Sequence, residues 1–312
     1  MATLAVSDLA YVRVRAPDLD RAEAFLTDFG LTRATRTGQS LYMRACDTNH
    51  HVFVVEQGQD KFLGLAFNAR NRSDLEAAAR APGASSIEPL DEPAGGERVR
   101  LRDPDGNVVE IVWGMATSEP IVHQRYPLND ARDGLRRAGA LTRYEPGPSK
   151  VLRLGHGVLM STNPGPMIEW YRQHLGLLCS DEVRVDGQVG LSFHRLDRGD
   201  EFVDHHVLLI QAGPVNGLNH CGFEVHDFDD LMLGHDHLKR KGYDNVWGVG
   251  RHVFGAQVFD YWMDPWGFMF EHWTDTDRLN AQFVGRLDAT VGDANGPWGM
   301  DVPERFFTHA HA

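Results

Sequence analysis

The sequence predicts an α+β fold built from four βαβββ modules, which pair into two half-open barrel domains. Three observations support this prediction. The two halves of the 312-residue chain repeat the same order of segments. Each half contains the pattern of a strand, a helix and further strands twice. Each half also ends with an Asp-Pro-x-Gly turn and a strand that contains a glutamate. Internal repeats of this kind indicate a duplicated architecture.

The first repeated segment is predicted to form a short strand, a turn, an amphipathic helix and a Gly-Leu stop. It occurs as LAYVRVRAPDLDRAEAFLTDFGL over 9–31 and as LGHGVLMSTNPGPMIEWYRQHLGL over 154–177. Apolar residues in both copies have the i, i+3, i+4 spacing of a half-buried helix. They are Ala22, Phe25 and Leu26 in the first copy and Met167, Trp170 and Tyr171 in the second. Gly30 and Gly176 follow these helices, where left-handed C-caps are expected.

Two further segments repeat in the same order. Residues 63–79 correspond to 219–234, and RDPDGNVVEIVWG over 102–114 corresponds to MDPWGFMFEHWTD over 263–275. The alignment makes three residues of the second half, His156, His220 and Glu271, equivalent to Tyr11, Gly64 and Glu110 of the first. Only the glutamate is common to both copies. One half has therefore kept a polar triad that the other half lacks.

The repeats define the predicted domain organisation. Residues 1–140 are predicted to form an N-terminal module pair, 150–290 a C-terminal module pair that contains the polar triad, and 291–312 a C-terminal tail. The prolines and charges of 115–150 are typical of a linker with at most one helix.

Composition excludes several classes of function. The formal net charge of −13 argues against nucleic acid as a partner, because phosphate binding requires clustered lysine and arginine. No run of 18 apolar residues predicts a membrane span, and the first residues lack the basic and apolar regions of a secretory signal. The three cysteines are too few for a disulfide framework. A cytoplasmic protein without a membrane partner is expected.

Histidines are concentrated in the second half, where eleven of the 16 fall between His156 and His272. Two imidazoles and one carboxylate on separate strands, as in His156, His220 and Glu271, can form a facial triad with open coordination positions. Strand alternation would turn Glu271 inward and His272 outward. The donor set suits Fe(II) or Mn(II) without distinguishing them. A lone strand histidine is more often a packed residue than a ligand, so from the residues alone both interpretations stay open.

The chain resembles the type I extradiol ring-cleaving dioxygenases of the vicinal oxygen chelate superfamily, which include catechol and dihydroxybiphenyl dioxygenases. The resemblance covers about 1–275. It rests on GHGVLMSTN, DHHVLLIQ, NHCGFEVHDFDDL and GRHVFGAQVFDYWMDPWGFMFEHWTD, which contain in order His156, His206, His220, and then His252, Tyr261 and Glu271. It implies the vicinal oxygen chelate, or glyoxalase-like, fold and an inactive N-terminal half.

The resemblance also implies roles for individual residues. His156, His220 and Glu271 correspond to iron ligands, with Mn(II) as a possible substitute. His206 corresponds to the acid–base histidine, and His252 and Tyr261 correspond to residues that hydrogen-bond the substrate or oxygen. His205, next to His206, would point to the other strand face. The implied reaction is extradiol (meta) cleavage of a catechol-type ring with O2 in aromatic hydrocarbon catabolism, without a nucleotide cofactor.

Two alternatives remain at this stage. Another metalloenzyme of the same superfamily, such as a glyoxalase-like isomerase, commonly builds its metal site from both module pairs, and the absence of histidine at Tyr11 and Gly64 argues against it. A protein that only binds a small aromatic molecule would not need the triad together with His206, His252 and Tyr261. The family resemblance further implies a homo-oligomer.

Overall fold

The computed structural model of the chain describes residues 4–129, 131–132, 134–139, 141–290 and 296–312. Residue 140, the predicted end of the first domain, and residues 291–295, the predicted start of the tail, lie outside the described residues. The predicted boundaries of the domains therefore stay a prediction. The α+β fold with two module pairs is confirmed by two mixed sheets, one in each half of the chain.

The first half forms an eight-stranded sheet with two helices. Its helices are α1 (Leu19–Phe29) and α2 (Arg72–Ala78). Its strands are β1 (Val6–Ala16), β2 (Thr32–Arg36), β3 (Ser40–Arg44), β4 (Phe53–Gln57), β5 (Lys61–Ala69), β6 (Glu88–Pro89), β7 (Glu97–Arg102) and β8 (Val108–Trp113). The spatial order is β2-β3-β4-β1-β5-β8-β7-β6.

The second half forms a nine-stranded sheet that repeats this plan. Its helices are α3 (Pro164–Leu175) and α4 (Phe228–Lys241). Its segments are β9 (Val151–Ser161), β10 (Leu178–Val185), β11 (Gln188–Arg195), β12 (Val203–Asp204), β13 (Leu208–Ala212), β14 (Gly217–Val225), β15 (Asp244–Arg251), β16 (Val258–Met263), β17 (Met269–Thr274), β18 (Arg278–Leu279) and β19 (Arg286–Thr290). The sheet order is β15-β16-β17-β14-β9-β13-β11-β10-β19, and β12 pairs separately with β18.

Strand pairing defines four βαβββ modules. Within each module the first strand runs parallel to the last, as in β1 with β4, β5 with β8, β9 with β13 and β14 with β17. The two modules of a half are joined by an antiparallel pair of their first strands, β1 with β5 and β9 with β14. Each half therefore curves its sheet around a space lined by the first and last strands of its modules.

The helix ends follow from local sequence. The Asp18 side chain accepts hydrogen bonds from the first backbone amides of α1, a cap that is typically worth about 1 kcal/mol. Gly30 and Gly176 end α1 and α3 in the left-handed conformation, as predicted. The predicted inward positions are buried in both helices except for Trp170, which is half-buried. The linker contains no helix among its described residues between 116 and 150.

The two halves pack through an aromatic interface. Phe25 and Phe29 of α1 contact Phe270 of β17 with ring centroids 5.1 and 5.3 Å apart. His272 stacks on Phe29 at 3.8 Å, and its Nε2 donates a hydrogen bond to the Phe29 carbonyl at 2.7 Å. Because neighbours alternate along a strand, these outward residues of β17 leave Glu271 facing the interior of the second half.

The C-terminal segment returns to the second half. α5 (Glu304–Thr308) places the Phe306 ring in the interior, and His311 forms a two-way backbone bridge with Leu218 at the start of β14. None of the helices in the described ranges is both long enough and apolar enough to cross a bilayer.

Buried neutral histidines predict that stability depends on pH. Burial lowers the pKa of His194, which is fully inaccessible to solvent, to about 3. Below about pH 6.5 the unfolded chain binds a proton at His194 and the folded chain does not. The free energy of unfolding therefore decreases as pH falls from 6.5 towards 3. In His194→Phe, we expect the free energy of unfolding to decline less steeply between pH 6 and 4, by up to about 1.4 kcal/mol per pH unit. Urea unfolding across this range measures the slopes, and equal slopes would contradict the prediction.

Candidate metal centre

Three adjacent strands bring the predicted ligands together. His156 lies on β9, His220 on β14 and Glu271 on β17, and β14 is the central strand of the three. Gly222 of β14 is paired in register with His156 on one side and with Glu271 on the other. His220 lies two residues before Gly222, so its side chain points to the same face of the sheet.

The three side chains form a compact buried cluster, and their candidate ligand atoms all lie within 4.8 Å of one another. Nε2 of His156 is 2.7 Å from Oε2 of Glu271, and Nε2 of His220 is 3.5 Å from the same oxygen. All three residues are at least 98% buried. Among the described residues, no other group of histidine, cysteine and carboxylate side chains has this arrangement.

Gly222 makes the cluster possible. A Cβ atom at this position would lie 2.3 Å from both Cε1 and Nε2 of His156, far inside van der Waals contact. The glycine therefore leaves the space in which the His156 ring lies between the strands. The strand pattern already places Gly222 on the face of His220, where a glycine leaves room beside a metal, and the structure adds its close contact with His156.

The electrostatics of the cluster fit a divalent cation. Burial opposes ionisation of Glu271, but the adjacent His156 and His220 outweigh it and hold the pKa of the carboxyl well below its usual range. Burial lowers the pKa of His220 to about 4, so this imidazole keeps a free lone pair at neutral pH. Oε1 of Glu271 is buried without a hydrogen-bond partner. Two imidazoles, an ionised carboxylate and an unsatisfied oxygen are the donor set of a divalent metal site.

His252 and Tyr261 lie at one side of the cluster. Tyr261 on β16 is paired in register with Glu271, and its hydroxyl is 2.8 Å from Nε2 of His252, which follows β15. Nε2 of His252 is also 3.6 Å from Oε1 of Glu271. Burial and the Glu271 carboxylate raise the pKa of Tyr261 well above its usual value. The phenol therefore keeps its proton and can act as a donor beside the metal site.

His206 lies at another side, with its ring centroid 4.4 Å from that of His156. Its Nδ1 is 3.2 Å from Nδ1 of His205, and Nε2 of His205 is 2.7 Å from the Asp181 carboxylate. If Nε2 of His205 donates its only ring proton to the Asp181 carboxylate, its Nδ1 accepts a hydrogen bond from Nδ1 of His206. The remaining nitrogen of His206, Nε2, then has a free lone pair. The chain Asp181–His205–His206 therefore sets the tautomer of His206.

The role of Asp181 and His205 was not found from the sequence. His205 was expected on the opposite face of a strand from His206, but residues 205–207 are not in strand conformation, so alternation does not apply there. Asp181 is far away in sequence, on β10, and no local pattern connects it to the histidine pair. The adjacent histidines of DHHVLL were the only available signal.

A cavity of about 600 Å³ opens next to the cluster, and His156, His206, His220, His252 and Tyr261 all face it. One wall consists of apolar side chains around β11 and β13, namely Leu191, Phe193, Leu209 and Phe254. The other wall consists of Trp247 and Phe259 together with three residues from the end of the chain, Trp298, Met300 and Phe306. The cavity is therefore lined mostly by aromatic and aliphatic side chains, and its polar lining comprises the residues around the metal ligands together with Gln211, Arg251, Gln257 and Asp301.

The equivalent position of the first half contains a different arrangement. Glu110 accepts a hydrogen bond from the Tyr11 hydroxyl at 2.6 Å and from Arg98 at 3.0 Å. Arg13 is 3.6 Å from the same carboxylate. Gly64, the third equivalent residue, is in contact with the β8 backbone, where a Cβ would lie 2.2 Å from the Val108 carbonyl oxygen. Guanidinium groups thus compensate the charge of the buried glutamate in this half.

Comparisons with known proteins agree with this geometry. The profile of the Glyoxalase/Bleomycin resistance protein/Dioxygenase superfamily matches residues 8–111 and 153–272. Metapyrocatechase 2 of Cupriavidus necator is 32% identical over 311 residues, covering 99% of this chain and 93% of that protein. An iron-dependent extradiol dioxygenase of Rhodococcus jostii (strain RHA1) is 25% identical, covering 96% and 98%. The crystal structure of the Mn(II)-bound glyoxalase from Novosphingobium aromaticivorans matches with a TM-score of 0.80 at 26% identity, covering 99% and 96%.

The packing of Gly222 predicts a variant that loses metal without losing any ligand. In Gly222→Ala the new methyl group must displace the His156 ring, so we expect metal affinity to fall at least about tenfold. Elemental analysis after desalting and titration of apoprotein with Mn(II) measure the loss. The matched control is Gly157→Ala on the neighbouring strand β9, where the Cβ would meet Leu65 at 3.4 Å and Leu9 at 3.9 Å, both ordinary contacts. Unchanged affinity in Gly222→Ala would contradict the assigned geometry.

Proposed function

The chain belongs to the Glyoxalase/Bleomycin resistance protein/Dioxygenase superfamily and, through its full-length similarity to metapyrocatechase 2, to the extradiol ring-cleaving dioxygenases; from this membership we propose that His156, His220 and Glu271 bind Fe(II) and that the site cleaves a catechol-type ring with O2 in the degradation of aromatic compounds. The observation that supports the proposal most strongly is the buried cluster itself, which faces an apolar cavity.

We propose Fe(II) rather than Mn(II) as the resident metal, although the donor set accommodates both ions. The iron-dependent relative matches 96% of this chain, and a manganese-dependent dioxygenase and the Mn(II)-bound glyoxalase match 84% and 99% of it, so the proposal rests on the dioxygen chemistry rather than on the relatives. Bound Fe(II) would supply Lewis acidity and the redox capacity for dioxygen chemistry at a site with open coordination positions.

His206 is the proposed acid–base residue. Its Nε2 has the free lone pair that Asp181 and His205 leave to it, and the residue borders the cavity. Nε2 is therefore able to accept the proton of a catechol hydroxyl and to return it later to the opening product. Among the described residues, the one hydrogen-bond partner of the His206 ring is His205, so the relay to Asp181 determines which nitrogen is available.

His252 and Tyr261 are the proposed orienting residues for substrate. The hydrogen bond between them fixes the tyrosine hydroxyl beside Glu271, where it can donate to a substrate oxygen. A fixed donor in a site without bulk water stabilises negative charge on that oxygen more effectively than water does. His252 itself is held by stacking on Phe259, with ring centroids 4.0 Å apart.

The cavity indicates the class of substrate. Its walls are mostly apolar, and the one arginine among its lining residues, Arg251, already binds the Asp275 carboxylate and the Ala256 carbonyl. A carboxylate-bearing substituent would lose its hydration there without gaining an ion pair. The proposed substrates are therefore catechols with alkyl, aryl or no substituents.

Two further features remain proposals. A cytoplasmic location is supported by three cysteines that are all unpaired, as expected in a reducing compartment. A homo-oligomer is proposed from the family resemblance. Size-exclusion chromatography with light scattering tests the second of these directly.

The activity is tested with protein loaded anaerobically with Fe(II) and then mixed with catechols in air-saturated buffer. We expect a yellow ring-fission product and uptake of one O2 per ring for catechol, 3-methylcatechol and 2,3-dihydroxybiphenyl. We expect a lower kcat/KM for 3,4-dihydroxybenzoate, because the cavity has no free cation for its carboxylate. Glu271→Gln is the metal-free control and should produce no colour.

Two outcomes would overturn the proposal. The first is the absence of O2 uptake with every catechol by protein that contains stoichiometric iron. The second is isomerisation of a thiohemiacetal by the Mn(II)-loaded protein without O2 uptake, which would favour the glyoxalase-like alternative. Binding of catechols with neither reaction would favour a protein that only sequesters a small aromatic molecule.

The relay to His206 predicts a distant residue with a specific kinetic effect. Asp181→Asn replaces an acceptor-only carboxylate by an amide that can present either its oxygen or its NH2 group to His205, so His206 loses its preferred tautomer. We expect kcat to fall about 10- to 100-fold while iron content stays at the wild-type level. His206→Gln should lower kcat further, by about 10²- to 10⁴-fold, also with iron retained. If Asp181→Asn instead loses iron, or leaves kcat unchanged, the proposed relay is wrong.

A further inference from the structure

The last described segment of the chain is tied to the strand that provides His220. Backbone hydrogen bonds join Leu218 and His311 in both directions, at 2.9 and 2.8 Å. Gly217 allows this contact, since a Cβ there would lie 2.2 Å from the His311 carbonyl oxygen. His309 donates from Nε2 to the Gly267 carbonyl at 2.6 Å, which fixes the segment to the turn before β17 as well.

Asn219 connects this segment to the metal ligand. The side chain is 1% exposed and lies between the C-terminal segment and His220. Its Nδ2 donates hydrogen bonds to the carbonyl oxygens of Phe306 at 2.9 Å and His309 at 2.8 Å. Its Oδ1 is 2.6 Å from Nδ1 of His220.

These contacts leave one consistent arrangement of hydrogens. Two carbonyl oxygens can only accept, so the amide must direct its NH2 group towards Phe306 and His309. Its oxygen must then face His220 and can only accept, so Nδ1 of His220 has the proton. Nε2 of His220 is left with the lone pair, and it is this atom that faces Glu271. The C-terminal segment thus determines the amide orientation, and the amide determines the imidazole tautomer.

The segment also contacts the ligand ring. The buried Phe306 side chain lies 5.6 Å from the His220 ring and 5.0 Å from the Tyr261 ring, measured between centroids. These contacts restrict rotation of the imidazole about its side-chain bonds. Both the tautomer and the orientation of His220 therefore depend on residues more than 80 positions away in sequence.

We propose that residues 304–312 are a functional part of the metal centre and that Asn219 is the positioning residue through which they act on His220. The segment increases metal affinity by holding His220 in the metal-binding tautomer and orientation. This inference requires the metal site but not the ring-cleavage reaction, so it can be tested on metal binding alone.

The test uses Co(II), titrated into apoprotein under argon, with its visible absorption as the signal. Asn219→Leu keeps the approximate shape of the side chain but removes its hydrogen bonds to Phe306, His309 and His220. We expect the Kd for Co(II) to rise about 10- to 100-fold in this variant. A chain ending at residue 303 keeps Asn219 but lets its amide rotate, so we expect a rise of about fivefold, the equivalent of one net hydrogen bond. Both variants should also shift the absorption bands, which report the geometry around the ion.

The truncated Asn219→Leu variant distinguishes an action of the segment through Asn219 from two independent effects. If the segment acts mainly through Asn219, truncating the Asn219→Leu variant raises the Kd by clearly less than the fivefold expected in the wild-type background, and what is left of the effect reports the direct contact of Phe306 with the His220 ring. If the two act independently, the increases multiply, and that result would overturn the proposal. The thermal midpoint of each apoprotein is measured in parallel, and a loss of affinity that follows only this midpoint would also overturn it.

Arg305→Ala is the matched control within the same segment. Arg305 pairs with Asp244 on the surface at 2.7 Å and takes no part in the contacts of Asn219. We expect its Kd for Co(II) to equal that of the wild type. If the wild-type protein itself fails to bind Co(II), the assignment of the metal centre is wrong. Equal affinities of the wild type and Asn219→Leu would reject only the proposed action of the segment through Asn219.

Discussion

Complete burial of the Glu271 carboxylate is the constraint on which the centre of this protein depends. An ionised group without solvent is stable only if charges and hydrogen bonds around it replace the lost hydration. Here the neighbours are three histidines and a tyrosine, and one carboxylate oxygen has no hydrogen-bond partner. A divalent cation is the natural complement of such a site. The same constraint explains why Gly222 lies opposite Glu271, since the His156 ring must occupy the space beside it.

The first half meets the same constraint by a different route. Its buried Glu110 is compensated by Arg98 and Arg13 and by the Tyr11 hydroxyl. A guanidinium has a fixed charge and no coordination positions for a substrate. The two halves therefore illustrate two stable answers to one electrostatic problem in a single duplicated framework, and among the described residues the metal-ligating cluster is found in the second half.

Much of the site could be predicted because the duplication aligns it. The ligands stood at equivalent positions of the repeat, and the alternation along β17 correctly turned Glu271 inward and His272 outward. The parts that were missed depend on contacts that no local pattern encodes. Asp181 reaches His205 from another strand, and Asn219 acquires its role only when Phe306 folds back from the end of the chain. Alternation also failed at His205 because this residue precedes its strand, so the backbone there is free to turn the ring towards Asp181.

The stacking of His272 on Phe29 has a consequence for the history of the molecule. Glu271 and His272 are neighbours, so the strand that provides a metal ligand uses its other face as a contact with the first half. Such a contact resembles the interface of a homodimer in which each copy supports the other. Fusion of the two copies into one chain makes that partnership permanent and fixes their ratio at one to one. One copy is then free to lose its reactive residues, provided that it keeps the aromatic surface on which the working copy rests.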